Sequence, residues 1–154
     1  MPKPFTLLLV EDELADATLF QEMLFDTAPE IVVHHVEHGQ AALEFLTRAH
    51  GHSQAPRPDL VVLDLNMPVM DGHEFLAQVK QLAAVRSIPV LVLSTSDHPL
   101  DVHRSYDAHA SGYVVKPGSW KEYTRVLETV QAYWHGLVRL PTLEEVARTT
   151  HAEP

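Results

Sequence analysis

Residues 60–68 read LVVLDLNMP: four apolar residues lead straight into Asp64, and Asn66 and Pro68 follow at once. A continuous apolar run of this length belongs inside a sheet covered on both faces. A carboxylate there is costly unless something pairs with it. The same pattern recurs along the chain. FTLLLV (5–10) runs into Glu11 and Asp12, PVLVL (89–93) into Ser94, and YVV (113–115) into Lys116; a more polar run, IVVHHV (31–36), completes the set.

Between these runs the apolar residues fall at helical spacing. Leu14, Leu19, Phe20, Met23 and Leu24 mark a helix over 14–27, Ala41, Ala42, Leu43, Phe45 and Leu46 a second, and Phe75, Leu76, Val79 and Leu82 a third over 72–84. Asp71 reads as the cap of that third helix, and Pro99 suits the first turn of a fourth. SWKE (119–122) has the form of a capping box, opening a last long helix with the stripe Trp120, Tyr123, Leu127, Val130, Trp134 and Leu137. Strands alternating with helices five times predict an α/β fold, a doubly wound five-stranded parallel sheet in flavodoxin-like order 2-1-3-4-5. HGHSQAPRP (50–58) is a loop, and residues 141–154 read as a short capped helix with a frayed tail, too small for an output domain.

The 154 residues fit one domain of ordinary size, and a net charge of -10 disfavours phosphate backbones and anionic lipid surfaces. Nucleic acid and membrane are therefore not expected partners. No apolar run reaches the length of a membrane span or a signal-peptide core. The absence of cysteine fits a reducing compartment, and the expected location is the cytoplasm.

In a parallel sheet, Glu11, Asp12, Asp64, Ser94 and Lys116 all lie at the carboxyl edge, where open α/β folds bind ligands. Three converging carboxylates repel one another and call for a hard divalent ion. Mg2+ suits them, bound by Asp12, Asp64 and a backbone carbonyl, with Glu11 acting through water. Lys116 then supplies a point charge for a second anion and Ser94 a hydroxyl donor. Together these groups describe a phosphoryl acceptor, with Asp64 attacking phosphorus in line.

LLLVEDE, DLVVLDLNMPVMDG, LVLSTS and GYVVKP resemble, in order and spacing, the signature blocks of the response-regulator receiver domains of two-component signalling. The likeness covers about residues 5–138, so that 1–140 reads as a receiver domain. It implies that Asp64 is phosphorylated by a sensor histidine kinase, that Glu11 and Asp12 form the acidic pair, and that Asn66 offers its backbone carbonyl to the metal. Ser94 stands at the switch-hydroxyl position, Tyr113 at the switch-aromatic position and Lys116 at the invariant-lysine position. The Lys116-Pro117 peptide is expected to be cis. APRPDLVVLDLNMPVMDG, RSYDAHASGYVVKP and AYWHGL are further similar to stand-alone regulators that accompany phytochrome-type sensor kinases. Two departures stand out: Thr95 where most receivers carry Ala or Gly, and Gly118-Ser119 in place of a bulkier acidic start to the last helix.

The expected protein is thus a phosphoacceptor that assists its own phosphorylation and dephosphorylation rather than an enzyme with a turned-over substrate. Its readout is a partner, a homodimer through the last helix, where Trp134, Leu137, Val138 and Leu140 exceed what a short sheet covers, or the draining of a kinase as a phosphate sink. An aspartyl-nucleophile phosphatase would need an acid two residues beyond the nucleophile, where this chain has Asn66. A phosphate-independent scaffold would not require the full polar set. The eleven histidines show no metal-ligand spacing and read as solvated surface.

Overall fold

The computed structural model describes residues 4–152, with side chains over 4–148. Each apolar run forms a strand: β1 (Thr6–Val10), β2 (Val32–Val36), β3 (Leu60–Leu63), β4 (Val90–Ser94) and β5 (Gly112–Val115). They pair in parallel in the order β2-β1-β3-β4-β5. The helices are α1 (Leu14–Thr27), α2 (Gly39–Thr47), α3 (Gly72–Val79), α4 (Pro99–Asp107), α5 (Trp120–Trp134) and α6 (Leu143–Ala152).

Successive strand residues point to opposite faces, which divides each run between two cores. Leu8, Val10, Val61, Leu63, Val90 and Val92 pack with residues of α2 and α3, whereas Leu7, Leu9, Leu60, Val62, Leu91 and Leu93 pack with α1 and α5. Both faces are dry, so the runs carry no polar alternation. The caps behave as their chemistry requires: Asp71 Oδ1 accepts from the Glu74 amide at 2.9 Å and Ser119 Oγ from the Glu122 amide at 3.2 Å. Pro99 opens α4, and His98 caps it by accepting from the Leu100 amide. At α6 the box is reciprocal, Thr142 Oγ1 accepting from the Glu145 amide and Glu145 Oε2 from the Thr142 amide, both at 3.1 Å. The expected frayed tail at 153–154 lies outside the described residues.

Some expected core positions are not core. Trp120, at the first position of α5, is 59% exposed, whereas Tyr123 and Leu127 are buried and Val130 and Trp134 half-buried; Leu137, past the end of α5, is 73% exposed, as expected of the residues that outrun the sheet. Leu14, at the first position of α1, also projects into solvent. The third helix stops at Val79 instead of continuing to 84. There Lys80 Nζ turns back to donate to the carbonyls of Arg86 at 2.9 Å and Ile88 at 2.8 Å, fixing the turn that leads into β4, and Leu82 is 38% exposed rather than core.

Candidate functional site

The carboxyl ends of β1, β3, β4 and β5 bring the polar residues of the sequence to one place. Glu11, Asp12 and Asp64 each offer a carboxylate oxygen, and these oxygens lie within 4.8 Å of one another. Glu11 is only 3% exposed, Asp64 is half-buried and Asp12 faces solvent. From the end of β5, Lys116 Nζ reaches Glu11 Oε1 at 2.5 Å and lies 3.6 Å from Asp16 Oδ2. Asp16 escaped the sequence reading, although it stands in the first turn of α1, four residues after Asp12, where a helix places a side chain back over the preceding turn. Ser94 is fully buried at the end of β4, its hydroxyl accepting from the Ser96 amide at 3.2 Å. Tyr113 donates its hydroxyl to the Ser96 carbonyl at 2.7 Å.

The loop after β3 is wedged in place. A Cβ on Gly72 would stand 2.6 Å from both the Asp64 carbonyl oxygen and the Leu65 Cα, and one on Gly39 would stand 2.9 Å from the Met70 carbonyl. Backbone bonds lock the same contacts: the Gly72 amide donates to Leu65 and the Gly39 amide to Met70. Between them Val69 adopts φ +67°, a left-handed conformation rare for a β-branched residue. Asn66 lies exposed in this loop, two residues beyond Asp64.

The Lys116-Pro117 peptide is trans, against the expectation of cis, as are all peptide bonds among the described residues. Trans is the intrinsically preferred isomer. Together Asp16, Thr95, Lys116, Trp120 and Tyr123 line an open cleft of about 310 Å³ beside the carboxylates.

Not all histidines are solvated surface. On β2, the His35 ring nitrogen Nε2 lies 2.7 Å from the Glu11 carbonyl, tying the edge strand to the acidic pair. His73 Nε2 on α3 bonds Asp101 Oδ1 on α4 at 3.1 Å, and His34 and His52 flank Phe45 with ring centroids 5.4 and 5.5 Å away. Such contacts join residues far apart in sequence and leave no periodic trace.

The electrostatics follow from burial and crowding. Burial raises the Glu11 carboxyl above the ordinary 4.5, the Lys116 hydrogen bond opposes this, and the neighbouring Asp64 adds to it. Burial would lower the Lys116 ammonium, but Glu11, Asp64 and Asp16 outweigh it and hold the pKa above 10.5. Burial also pushes the Tyr123 hydroxyl up to about 12. One ammonium thus faces several carboxylates, and the hard oxygen donors of Glu11, Asp12 and Asp64 fit a divalent cation.

Residues 7–128 match the family model of the response regulator receiver domain. The chain belongs to the receiver-domain family. This receiver is 38% identical over 138 residues to response regulator Rcp1 of Synechocystis sp. (strain ATCC 27184 / PCC 6803 / Kazusa), covering 90% of this chain and 94% of Rcp1. It is equally identical, over 90% of its own length and 88% of the relative, to a probable methanogenesis regulatory protein, FilR2, of Methanothrix harundinacea (strain 6Ac). The receiver superposes on the phosphorylated cyanobacterial phytochrome response regulator RcpA with a TM-score of 0.87, at 35% identity over 91% of this chain and 100% of RcpA. On the Mn2+-bound form of Rcp1 the TM-score is 0.84, at 37% identity over 90% and 100% of the two chains. The sheet order and acidic pocket are those of the family. A divalent metal is the ligand such a pocket takes, and Glu11, Asp12 and Asp64 are the residues that would hold it here.

Proposed function

We propose that this receiver takes a phosphoryl group from a sensor histidine kinase onto Asp64 and uses it as a conformational signal. The observation that carries this reading is the convergence of the Glu11, Asp12 and Asp64 carboxylates, with the Lys116 ammonium bonded to Glu11 and a buried serine hydroxyl at the adjoining strand end. An Asp64 carboxylate oxygen forms the new bond to phosphorus while the P–N bond of the donor phosphohistidine breaks, and its electron pair leaves with the imidazole. Lys116 gives up part of its attachment to Glu11 and neutralises one phosphoryl oxygen; Ser94 turns its hydroxyl to another. Asp12, Asp64 and the Asn66 carbonyl, with Glu11 beside them, would hold Mg2+, which would supply charge neutralisation for the phosphoryl group. The same groups orient a water whose oxygen bonds to phosphorus as the Asp64 O–P bond breaks, releasing inorganic phosphate and the free carboxylate, so the protein assists both its phosphorylation and its dephosphorylation.

Tyr113 follows Ser94 because both are bonded to Ser96, one to its amide and one to its carbonyl. The affected surface is α4, β5 and α5. Likeness to Rcp1 and RcpA supports a phytochrome-type kinase as the donor. The readout is a partner protein or self-association in the cytoplasm; exposed Tyr133 and Leu137 on and beyond α5 support a homodimer through that region. Residues 1–140 act as the switch, with α6 (Leu143–Ala152) as a short appended helix.

The test is intact-protein mass after incubation with Mg2+ and acetyl phosphate, wild type beside Asp64→Asn, followed by size-exclusion chromatography. One added phosphoryl group in the wild type alone is the expected result, with an elution shift if self-association is the output. An unmodified wild type, also refractory to a histidine-kinase donor, would favour a phosphate-independent scaffold.

A further inference from the structure

We propose that Ser96, Asp101 and His73 form a side-chain latch that holds the loop after β4 in its resting position and so sets how readily the switch is thrown. The inference rests on Asp64 being the phosphoacceptor. Ser96 Oγ donates to Asp101 Oδ2 at 2.6 Å, and the other carboxylate oxygen of Asp101 takes His73 Nε2 at 3.1 Å. Asp101 lies in the first turn of α4, whereas His73 follows Gly72, the residue pressed against the Asp64 carbonyl. The three side chains therefore bridge the acceptor loop and the switch loop from outside the metal and phosphoryl positions.

Ser96 is the residue on which the switch loop converges. Its amide donates to Ser94 Oγ, its carbonyl accepts from Tyr113, and its own hydroxyl also accepts from the His98 amide at 3.3 Å. Any movement of Ser94 toward a phosphoryl group on Asp64 pulls on Ser96, and the short bond to Asp101 resists it. Such a bond to an ionised carboxylate is of the stronger kind. His73 keeps Asp101 oriented at a cost, since its Nδ1 is buried without a hydrogen-bond partner among the described residues. A buried unpaired ring nitrogen is tolerated where the geometry of the other nitrogen matters. In this arrangement Asp101 is a positioning residue, acting on Asp64 chemistry through Ser96.

The test compares phosphorylation by acetyl phosphate with Mg2+, followed by intact mass, in wild type, Ser96→Ala, Asp101→Asn and the double variant. Each single change is expected to raise the initial rate about threefold to tenfold, the scale on which loss of one resting-state hydrogen bond shifts a two-state equilibrium. The double variant should be no faster than the faster single, because Ser96→Ala removes the donor of the same bond that Asp101→Asn weakens by taking away the acceptor's charge. A purely structural role would lower the melting temperature without a faster rate. Amide and Tyr113 ring NMR signals give the second readout: without phosphate, the variants' signals from Ser94 to His98 should move toward those of wild type loaded with beryllofluoride. Wild-type rates in both singles, strictly additive gains, or unmoved signals would overturn the latch. If Asp101→Asn does not fold, Ser96→Ala carries the test by the same criteria. A wild type that gains no phosphoryl group from acetyl phosphate or from a histidine-kinase donor would instead sink the acceptor reading, and the latch would then stand or fall on whether the variants displace the unliganded Ser94 and Tyr113 signals.

Discussion

Lys80 and Lys116 are both withdrawn from most solvent, yet they keep different company. Lys80 Nζ donates to two backbone carbonyls at the amino edge of the sheet, while Lys116 Nζ meets Glu11 and Asp16 at the carboxyl edge. With only neutral dipoles around it, Lys80 pays for burial and its pKa falls below 10.5. Lys116 suffers the same desolvation, but its carboxylates outweigh it and the pKa rises. A lysine spent on two carbonyls fixes a turn. A lysine held by carboxylates can be redirected as soon as another cation claims them, and that makes Lys116 a working charge.

Exchanging each ammonium for a neutral side chain would break the comparison if the two lysines were alike. Lys116→Met should lower phosphorylation by acetyl phosphate about 100-fold, as loss of a transition-state cation does. In the same variant divalent-metal affinity, read by fluorescence or calorimetric titration, should rise, because the ammonium no longer competes for Glu11. Lys80→Met should leave phosphorylation within about twofold but cost on the order of 1–2 kcal/mol of stability in urea unfolding, through two carbonyls left to find other donors.

Alkaline titration sharpens the contrast. The Lys116 contribution is fully present below its unfolded value of 10.5 and is lost as pH climbs through its higher folded value. For Lys80 the sign reverses: the charged form is penalised in the fold, and the penalty disappears as pH rises through its lowered folded value. Carbon NMR of the lysine Cε atoms should therefore show Lys80 losing its proton before Lys116 does. The smallest effect is expected of Asp16→Asn. The pair is long and Asp16 about half-exposed, so Lys116 should titrate at lower pH with phosphorylation changed by less than about threefold.

Much of this could be read from residue order. Continuous apolar runs can be satisfied only by a sheet covered on both faces, and the residue after each run is then carried to the carboxyl edge without further information. That logic placed Glu11, Asp12, Asp64, Ser94 and Lys116 correctly. It could not reach Asp16, whose bearing on Lys116 depends on how α1 lies against the loop before α5. Nor could it reach His35, His73 and Asp101, whose partners are set by packing between elements rather than by spacing within one. Trp120 fits the helical stripe of α5 yet stands exposed at its first position, and a stripe alone does not say where its support begins. The Lys116-Pro117 bond is trans, and the Lys-Pro dipeptide alone does not fix its isomer.

The two glycines that wedge the loop after β3 also bear on the protein's exposure to solvent exchange over time. With no space for even a methyl group at Gly39 or Gly72, and both amides bonded to that loop or its base, opening there requires α2 and α3 to separate from the sheet together. The Ser96 and His98 amides, held only by serine hydroxyl oxygens, can open by a local rearrangement. Deuterium should therefore enter the switch loop long before it enters the acceptor loop, which makes the acceptor side a fixed reference against which the switch side moves.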